Sequence, residues 1–193
     1  LQGHIKISDP ESGEVLIDKR NAIHYENMSI ALAESLANAG QGPIYKMAFG
    51  NGGTSVDPTG IITYLTPNST GTNASLYNKT FDKVVDDQAS NNTDPVRNKL
   101  ETRHVSGTNY TDILVSCLLD YGEPSGQDAF DTATNTENLY VFDELGLVSA
   151  GEDGTDGRLL THVIFHPVQK SLNRLIQIDY TVRVQSLTGF NEA

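Results

Sequence analysis

The sequence predicts a mainly β protein: a β-sandwich or jelly-roll-like domain with an N-terminal β-hairpin and one short helix. Two observations support this fold class. Apolar and polar residues alternate with a period of two over residues 175–184, which is typical of a strand with one buried face. Short apolar segments also recur between polar, glycine-containing stretches, while a single segment has convincing helical periodicity.

The first 42 residues are predicted to form a hairpin-helix appendage, and residues 43–193 are predicted to form the sandwich domain with its long polar loops. The hairpin covers residues 4–18, with a turn at the Asp-Pro-Glu-Ser-Gly segment. Its opposing apolar residues are expected to be Ile5 and Ile7 on one strand and Val15 and Ile17 on the other.

The predicted helix covers residues 27–38, where a modest apolar stripe recurs at helical spacing. Asn27 or Ser29 can cap its N-terminus, and the glycine- and proline-containing segment at residues 39–43 ends it.

The remaining predicted elements are strands separated by two long polar loops, at residues 66–78 and 122–138. The strands are predicted at residues 44–49, 61–65, 81–85, 96–105, 112–119, 139–148, 158–166 and 172–184.

The composition argues against two classes of partner. The chain has 193 residues and a net charge of −12, from 13 basic and 25 acidic side chains. Nucleic acids and anionic membranes both require clustered Lys and Arg, so we expect neither as a partner. A hydrophobic content of 37% and an aromatic content of 7% predict a thin core, to which association with neighbouring subunits would add buried apolar surface.

The acidic residues are unevenly distributed. Residues 104–157 contain no Lys or Arg but hold 11 of the 25 acids, which favours a solvated surface, a cation site or an interface with a basic partner. We expect most of these acids to stay in solvent and a minority to pair across a subunit interface. The candidate bases are Arg97, Lys99, Arg103 and Arg174.

A glycine cluster at residues 50–54 follows a predicted strand. It lacks the Gly-Lys-Ser/Thr end of a phosphate-binding P-loop, and no helix follows it. We therefore interpret it as a tight turn or an extended surface loop.

Four histidines are candidate metal ligands, and none has suitable neighbours. His162 and His166 lie four apart in a predicted strand, which places them roughly 13 Å apart on one face and too far apart for one ion. His24 and His104 have no ligand-like residues near them in sequence. Structural histidines are the better interpretation.

The acidic pairs and the cysteine also lack the signature of a site. Asp143 and Glu144 are adjacent in a strand, so they are expected on opposite faces and not as an acid/base pair. Residues 152–157 carry oxygen ligands without EF-hand spacing, and an Asp-Gly hairpin turn explains them. Cys117 lies in an apolar segment and has no disulfide partner, which favours a buried, inert thiol and assembly in a reducing cytoplasm. We predict no catalytic, cofactor-binding or metal-binding residues.

Three segments together resemble structural proteins of tailed-bacteriophage virions, particularly the tail-collar-fibre and baseplate-type β-domains. They are residues 47–54 (MAFGNGGT), 142–147 (FDELGL) and 160–170 (LTHVIFHPVQK). The resemblance implies a non-enzymatic building block of the tail, neck or collar, baseplate or head surface. It also implies self-association as a trimer or a larger ring or lattice, contacts with other virion proteins, and location in a virion assembled in the host cytoplasm.

Two alternatives from other classes stay open. A secreted carbohydrate-binding β-sandwich would need an aromatic stacking platform, and the chain has no Trp, although Tyr110, Tyr121 and Tyr140 could meet in space. An enzyme domain that uses Asp and His from separate loops would need a deep polar cleft with perturbed carboxylates.

Overall fold

The computed structural model describes residues 1–124 and 139–186, which form a two-sheet antiparallel β-sandwich with one helix. The predicted fold class is confirmed. In chain order the elements are β1 (Gln2–Ser8), β2 (Val15–Arg20), β3 (Ala22–Ile23), α1 (Tyr25–Leu36), β4 (Ile44–Gly50), β5 (Thr54–Val56), β6 (Ile62–Tyr64), β7 (Lys79–Val84), β8 (Lys99–His104), β9 (Tyr110–Leu119), β10 (Leu139–Ala150), β11 (Asp156–Leu159), β12 (Thr161–Ser171) and β13 (Ile176–Gln185).

The first sheet has the strand order β2-β1-β13-β9-β8, and the second has the order β3-β12-β10-β4-β7, with β11 added beside β10. Strands β5 and β6 form a separate two-stranded hairpin. Non-neighbouring strands in sequence pair repeatedly, as in β1 with β13 and β4 with β10. Long connections of this kind are typical of β-sandwiches.

The core lies between the two sheets and has an aromatic centre in the second sheet. The ring of Phe142 meets that of Phe49 edge-on at 5.4 Å and that of Phe165 edge-on at 5.8 Å, and it stacks on Tyr140 at 5.4 Å. Edge-on and offset arrangements are those that the ring quadrupoles favour. Apolar residues of the first sheet, such as Ile178, pack into the same buried cluster, so one core joins both sheets.

The N-terminal hairpin is part of the sandwich, which corrects its interpretation as an appendage. Strand β1 lies between β2 and β13, and Ile5 and Ile7 are fully buried in the shared core. The predicted register is half right, because Ile7 pairs with Ile17 while Ile5 pairs with Lys19. An irregularity between Ile7 and Ser8 shifts the pairing.

The helix begins two residues earlier than predicted, at Tyr25, and its N-cap is His24. The Nδ1 atom of His24 accepts a hydrogen bond from the amide of Asn27 at 3.2 Å, so neither Asn27 nor Ser29 is the cap. The helix ends at Leu36, and Asn38, with φ 52°, then takes the left-handed conformation common after helices.

The other strand predictions are correct in type and differ in their boundaries. The segment predicted as one strand at residues 158–166 contains the end of β11, a break at Leu160 and the start of β12. The predicted Asp-Gly turn joins β10 to β11, with positive φ at Asp153 and Gly154 as a type I′ turn requires. Of the predicted loop at residues 122–138, residues 125–138 lie outside the described residues.

We expect Phe142→Ala to destabilise the fold by about 3–5 kcal/mol, because the substitution opens a cavity at the aromatic centre of the core. Urea denaturation measures the change in the free energy of unfolding. Val96→Ala is the control, because Val96 is 77% exposed and should change stability by less than about 0.5 kcal/mol. A loss below about 1 kcal/mol in Phe142→Ala would contradict this account of the core.

Candidate functional site

The outer face of the second sheet is covered by residues 51–78, which we call the cover segment. It leaves the sheet after β4, forms the β5–β6 hairpin and returns to β7. Leu76 of this segment packs against Ala48 and Leu159 on the outer face, in a small apolar cluster separate from the main core. This cluster is small, so polar contacts beneath the segment carry much of its attachment.

The fully buried carboxylate of Glu144, on β10, makes the central polar contacts with the cover segment. Its Oε1 accepts the amides of Gly52 at 3.1 Å and Asn78 at 2.8 Å. Its Oε2 accepts the amide of Tyr77 at 2.9 Å and Nε2–H of His162 at 2.9 Å. A buried charge is tolerated when hydrogen bonds of this kind replace water. The carboxylate therefore joins both ends of the cover segment to the sheet.

His162 on β12 is also fully buried, and both of its ring nitrogens are occupied. Nδ1 accepts the amide of Asn68 at 2.8 Å, so it carries no proton, and Nε2–H donates to Glu144. The ring of Tyr77 lies 5.7 Å from the imidazole ring and covers it. The hydrogen bonds thus fix one neutral tautomer of His162.

Asp143, which precedes Glu144, holds the start of the cover segment. Its carboxylate accepts the amide of Gly53 at 2.9 Å and both the amide, at 2.8 Å, and the hydroxyl of Thr54. A Cβ atom on Gly53 would lie only 2.9 Å from Ile164 Cγ2, so glycine permits this close approach. The amides of the glycine cluster thus bind carboxylates of the same chain, in a short, partly buried connection between β4 and β5.

The expectation that Asp143 and Glu144 lie on opposite faces is wrong. Before the two acids, the even-numbered residues Tyr140 and Phe142 face the core. After them, the odd-numbered residues Leu145 and Leu147 face it, so the alternation of buried and outward residues shifts by one position at the acids. The pairing of β10 with β12 is irregular at the same place. This β-bulge turns both carboxylates toward the cover segment. The phase change is visible in the sequence and could have identified the pair.

His24 makes a further contact to the cover segment. Its Nδ1 accepts the amide of Asn27, so Nε2–H donates to the carbonyl of Gly71, at 2.9 Å. His24 is fully buried. One histidine therefore caps the helix and holds a loop that is distant in sequence.

The other two candidate histidines, His104 and His166, are exposed and lie outside this cluster. His166 meets the hydroxyl of Tyr64 at 3.3 Å, and Nδ1 of His104 lies 3.0 Å from the carbonyl of Tyr110. The structure therefore does not bring the four histidines together. No group of three or more His, Cys, Asp or Glu side chains within residues 1–124 and 139–186 is arranged to hold a metal ion.

Several acids of the 104–157 stretch pair with bases of the same chain, an arrangement that the sequence analysis did not include beside solvent exposure and pairing across a subunit interface. Arg183 binds both oxygens of Asp112, at 2.7 and 2.8 Å. The stretch therefore does not depend on a partner for these charges. The other such pairs are Asp120 with Arg97, Glu123 with Lys83, and Asp156 with Lys46.

Besides Arg97, two more of the four candidate bases for a subunit interface are used within the chain. Arg174 pairs with Asp9 at 3.0 Å, and Lys99 pairs with Glu101 at 2.5 Å. Asp128, Asp131 and Glu137 of the acidic stretch lie outside the described residues.

The three tyrosines considered for carbohydrate stacking do not form a common platform. Tyr140 is fully buried in the core. Arg183 covers the ring of Tyr110 at 3.8 Å from its centroid, and the hydroxyl of Tyr121 donates to Glu11 at 2.5 Å. These residues therefore give no support to the carbohydrate-binding alternative.

The cover segment also carries a run of exposed residues that includes several apolar side chains. Every residue from 55 to 65 is exposed except Ile62, which is half-buried. We call residues 55–65 the projecting hairpin. Val56 and Ile61 are each 63% exposed at its two sides. The carboxylate of Asp143 holds the hairpin at its base, next to Thr54.

Chemically, the buried cluster binds backbone amides and presents no free group to a substrate. Both nitrogens of His162 and both oxygens of Glu144 already have partners, and both side chains are fully buried. The thiol of Cys117 is buried as well, and burial raises its pKa to about 12. We conclude that the arrangement positions the cover segment.

Comparisons with family models, with curated proteins and with solved structures found no match for this chain.

We expect Glu144→Gln to destabilise the protein by about 2–4 kcal/mol, because the new NH₂ group must face two N–H donors whichever way the amide is turned. Urea denaturation measures this loss. Amide hydrogen exchange should show reduced protection at Gly52, Tyr77 and Asn78. The matched control is Glu152→Gln, at an exposed turn residue, which should leave both measurements unchanged. Equal effects of the two substitutions would refute the assigned role of Glu144.

The same carboxylate predicts a pH dependence. Burial acts to raise the pKa of Glu144, but the hydrogen bonds from His162 and the three amides outweigh it and hold the pKa below its ordinary value of 4.5. A lowered folded-state pKa contributes stability that is fully present above pH 4.5 and is lost as the pH falls through the folded-state pKa.

The stability difference between the wild type and Glu144→Gln should therefore be constant from neutral pH to about pH 5 and shrink below it. Urea denaturation of both proteins at a series of pH values measures this difference, in which the titration of groups remote from Glu144 cancels. A difference that grows on acidification would mean that the carboxylate is not ionised in the folded protein.

Proposed function

We propose that this protein is a non-enzymatic structural building block of a tailed-bacteriophage virion, in the tail, neck or collar, baseplate or head surface. It acts through contacts between subunits. The observation that carries the proposal is the projecting hairpin, which presents apolar side chains to solvent from a base held by buried carboxylates. Residues of this base, namely Gly53, Thr54 and Asp143, also belong to the short segments that resemble virion proteins.

A projecting apolar hairpin suits assembly because its exposed apolar surface is unfavourable in free energy while the chain is alone. Two-stranded hairpins are marginally stable by themselves, and exposed apolar surface gains free energy when a neighbour covers it. Asp143 binds Thr54, the residue that precedes the hairpin, and Tyr64 within the hairpin contacts His166 on β12, so both sides of the hairpin are attached to the sheet. A rigid base lowers the entropy lost when the hairpin binds a partner.

The chemistry of the buried groups fits a role without catalysis. His162 and Glu144 use their hydrogen-bonding capacity on backbone amides and on each other. The inert thiol of Cys117 suits assembly in the reducing cytoplasm of the host. The charge of −12 disfavours nucleic acid and membrane surfaces as partners. No helix within the described residues is long and apolar enough to span a bilayer.

The expected partners are further copies of the same chain, in a trimer or a larger ring or lattice, and other virion proteins. Closed symmetric assemblies are the usual outcome when one chain associates with itself. The assembly should depend on apolar contacts more than on charge pairs, because many ion pairs of the described chain are already satisfied internally.

We expect the purified protein to self-associate, with a defined stoichiometry in native mass spectrometry and a ring or lattice in electron micrographs. Raising NaCl from about 0.1 M to about 1 M should weaken association by less than about tenfold, because exposed ion pairs contribute little. A monodisperse monomer at high concentration would contradict the proposal, and steep dissociation with salt would show that charge pairs hold the assembly together.

A further inference from the structure

We propose that the outer face of the first sheet carries an anion site for a phosphate group, built between Arg20 on β2 and Arg183 on β13. The site makes no use of the projecting hairpin, so this inference goes beyond the proposed function and does not depend on it.

The bases without a partner lie on one face of the molecule. All 13 Lys and Arg side chains lie within the described residues, and most of them bind a carboxylate or a backbone carbonyl. Lys6, Arg20 and Arg103 alone have neither an ion pair nor a hydrogen bond within that part of the chain. The strand pairing places all three on the outer face of the first sheet, away from the side that carries Ile5 into the core. In a chain with a net charge of −12, unpaired bases on one face favour an anionic ligand there.

Arg20 lies beside an open pocket of about 290 Å³ on this face. The lining residues are Gln2, Gly3, His4, Arg20, Thr181 and Arg183. No carboxylate is among them, and the neighbouring acid Asp18 is bound to Nε2 of His4 at 2.7 Å. The Thr181 hydroxyl and the Gln2 amide have no hydrogen-bond partner within the described residues, so both can donate into the pocket. The pocket therefore combines two guanidinium groups with neutral donors.

The strand register explains how these side chains meet. Arg20, His4 and Thr181 lie directly opposite one another on β2, β1 and β13. Gln2 lies opposite Arg183 in the next outward row. Strands β2 and β13 are separated by two strand spacings, or about 10 Å, with β1 between them. Their long arginine side chains thus stand on opposite sides of the pocket.

Arg183 is held in place before any ligand binds. Its Nε and Nη2 atoms donate to the two oxygens of Asp112, at 2.7 and 2.8 Å, and its guanidinium lies 3.8 Å from the centroid of the Tyr110 ring. Its Nη1 atom has no acceptor within the described part of the chain. Because Asp112 already balances the charge of Arg183, Arg20 supplies most of the net positive charge of the site.

The placement of the donors favours phosphate over a carboxylate. Guanidinium groups on opposite sides of a pocket require oxygen atoms that point in opposite directions. A tetrahedral phosphate presents such oxygens, whereas both oxygens of a carboxylate point to one side. Two guanidinium groups suffice for one phosphate, but they do not form the extended basic surface that a nucleic acid or an anionic membrane requires.

Titration with inorganic phosphate, in a phosphate-free buffer at constant ionic strength, tests the site. We expect saturable binding with a dissociation constant on the order of 1 mM. In NMR spectra of the isotope-labelled protein, the changes in amide chemical shift should centre on Gly3, His4 and Thr181. No saturation below about 20 mM, or shift changes centred elsewhere, would overturn the proposal.

A matched pair of substitutions separates the pocket from the general charge of the face. Arg20→Gln should weaken phosphate binding by at least about tenfold, because it removes charged donors that no acid of the described chain occupies. Arg103→Gln removes the same charge from an unpaired base outside the pocket and should change the affinity by less than about twofold. Both residues are exposed, so thermal unfolding without phosphate should match that of the wild type. Equal weakening by the two substitutions would show general charge attraction and refute the site.

Two further anions identify the class of ligand. Acetate should bind at least about tenfold more weakly than phosphate, and equal binding would refute the preference for a tetrahedral group. Phenyl phosphate distinguishes the two sources of phosphate. Tighter binding than inorganic phosphate assigns the site to a phosphate group on a larger molecule, and weaker binding assigns it to the free ion. A monomeric protein that binds phosphate would refute the proposed function alone, and an assembled protein that does not bind it would refute this inference alone.

Discussion

The ionised carboxylate of Glu144 lies in the interior and must be surrounded by N–H groups, and the position of the cover segment depends on this requirement. Three of its four donors are backbone amides from the two ends of that segment, at Gly52 and at Tyr77 and Asn78. Leaving such a charge without partners would cost several kcal/mol. One side chain on β10 therefore sets where more than twenty residues lie.

The neighbouring groups make that position specific. His162 supplies the fourth donor, and its remaining nitrogen accepts the amide of Asn68, so that a proton on Nδ1 would break the contact. Asp143 binds the amides of Gly53 and Thr54 at the base of the hairpin. Because most of these partners are backbone amides, with the hydroxyl of Thr54 as the exception, the cluster fixes the path of the cover segment more than the identity of its side chains. The side chains of the projecting hairpin are thus left available for contacts outside the chain.

The strands and the fold class could be predicted from the sequence because their signal is local. The alternation near Ile178 and Val182 identifies a half-buried strand without knowledge of its neighbours. The pairing of β1 with β13 could not be predicted in this way. The hairpin turn identifies β2 as one neighbour of β1, but it does not identify the strand that pairs with the other edge of β1. The histidine cap was missed because His is not among the usual N-cap residues, and because the contact that orients its ring, with Gly71, is distant in sequence.

The candidate site was missed because a rule of strict alternation was applied across a bulge. The sequence contains the necessary information, because the apolar phase changes between Phe142 and Leu145. What it cannot show is which segment the two outward carboxylates bind. That choice depends on the close approach of glycines 52 and 53, which becomes evident only when β4, β10 and β12 lie side by side.

The placement of β1 has a consequence for how the molecule is made. The first strand is synthesised more than 160 residues before β13, the strand that occupies its second edge. Until β13 leaves the ribosome, Ile5 and Ile7 have no complete sheet to enter, and one edge of β1 has no neighbour. The first sheet can therefore close only when synthesis reaches β13, and we expect this long-range pairing to slow folding. A nascent chain of this protein should depend on protection of the β1–β2 hairpin until β13 has been synthesised.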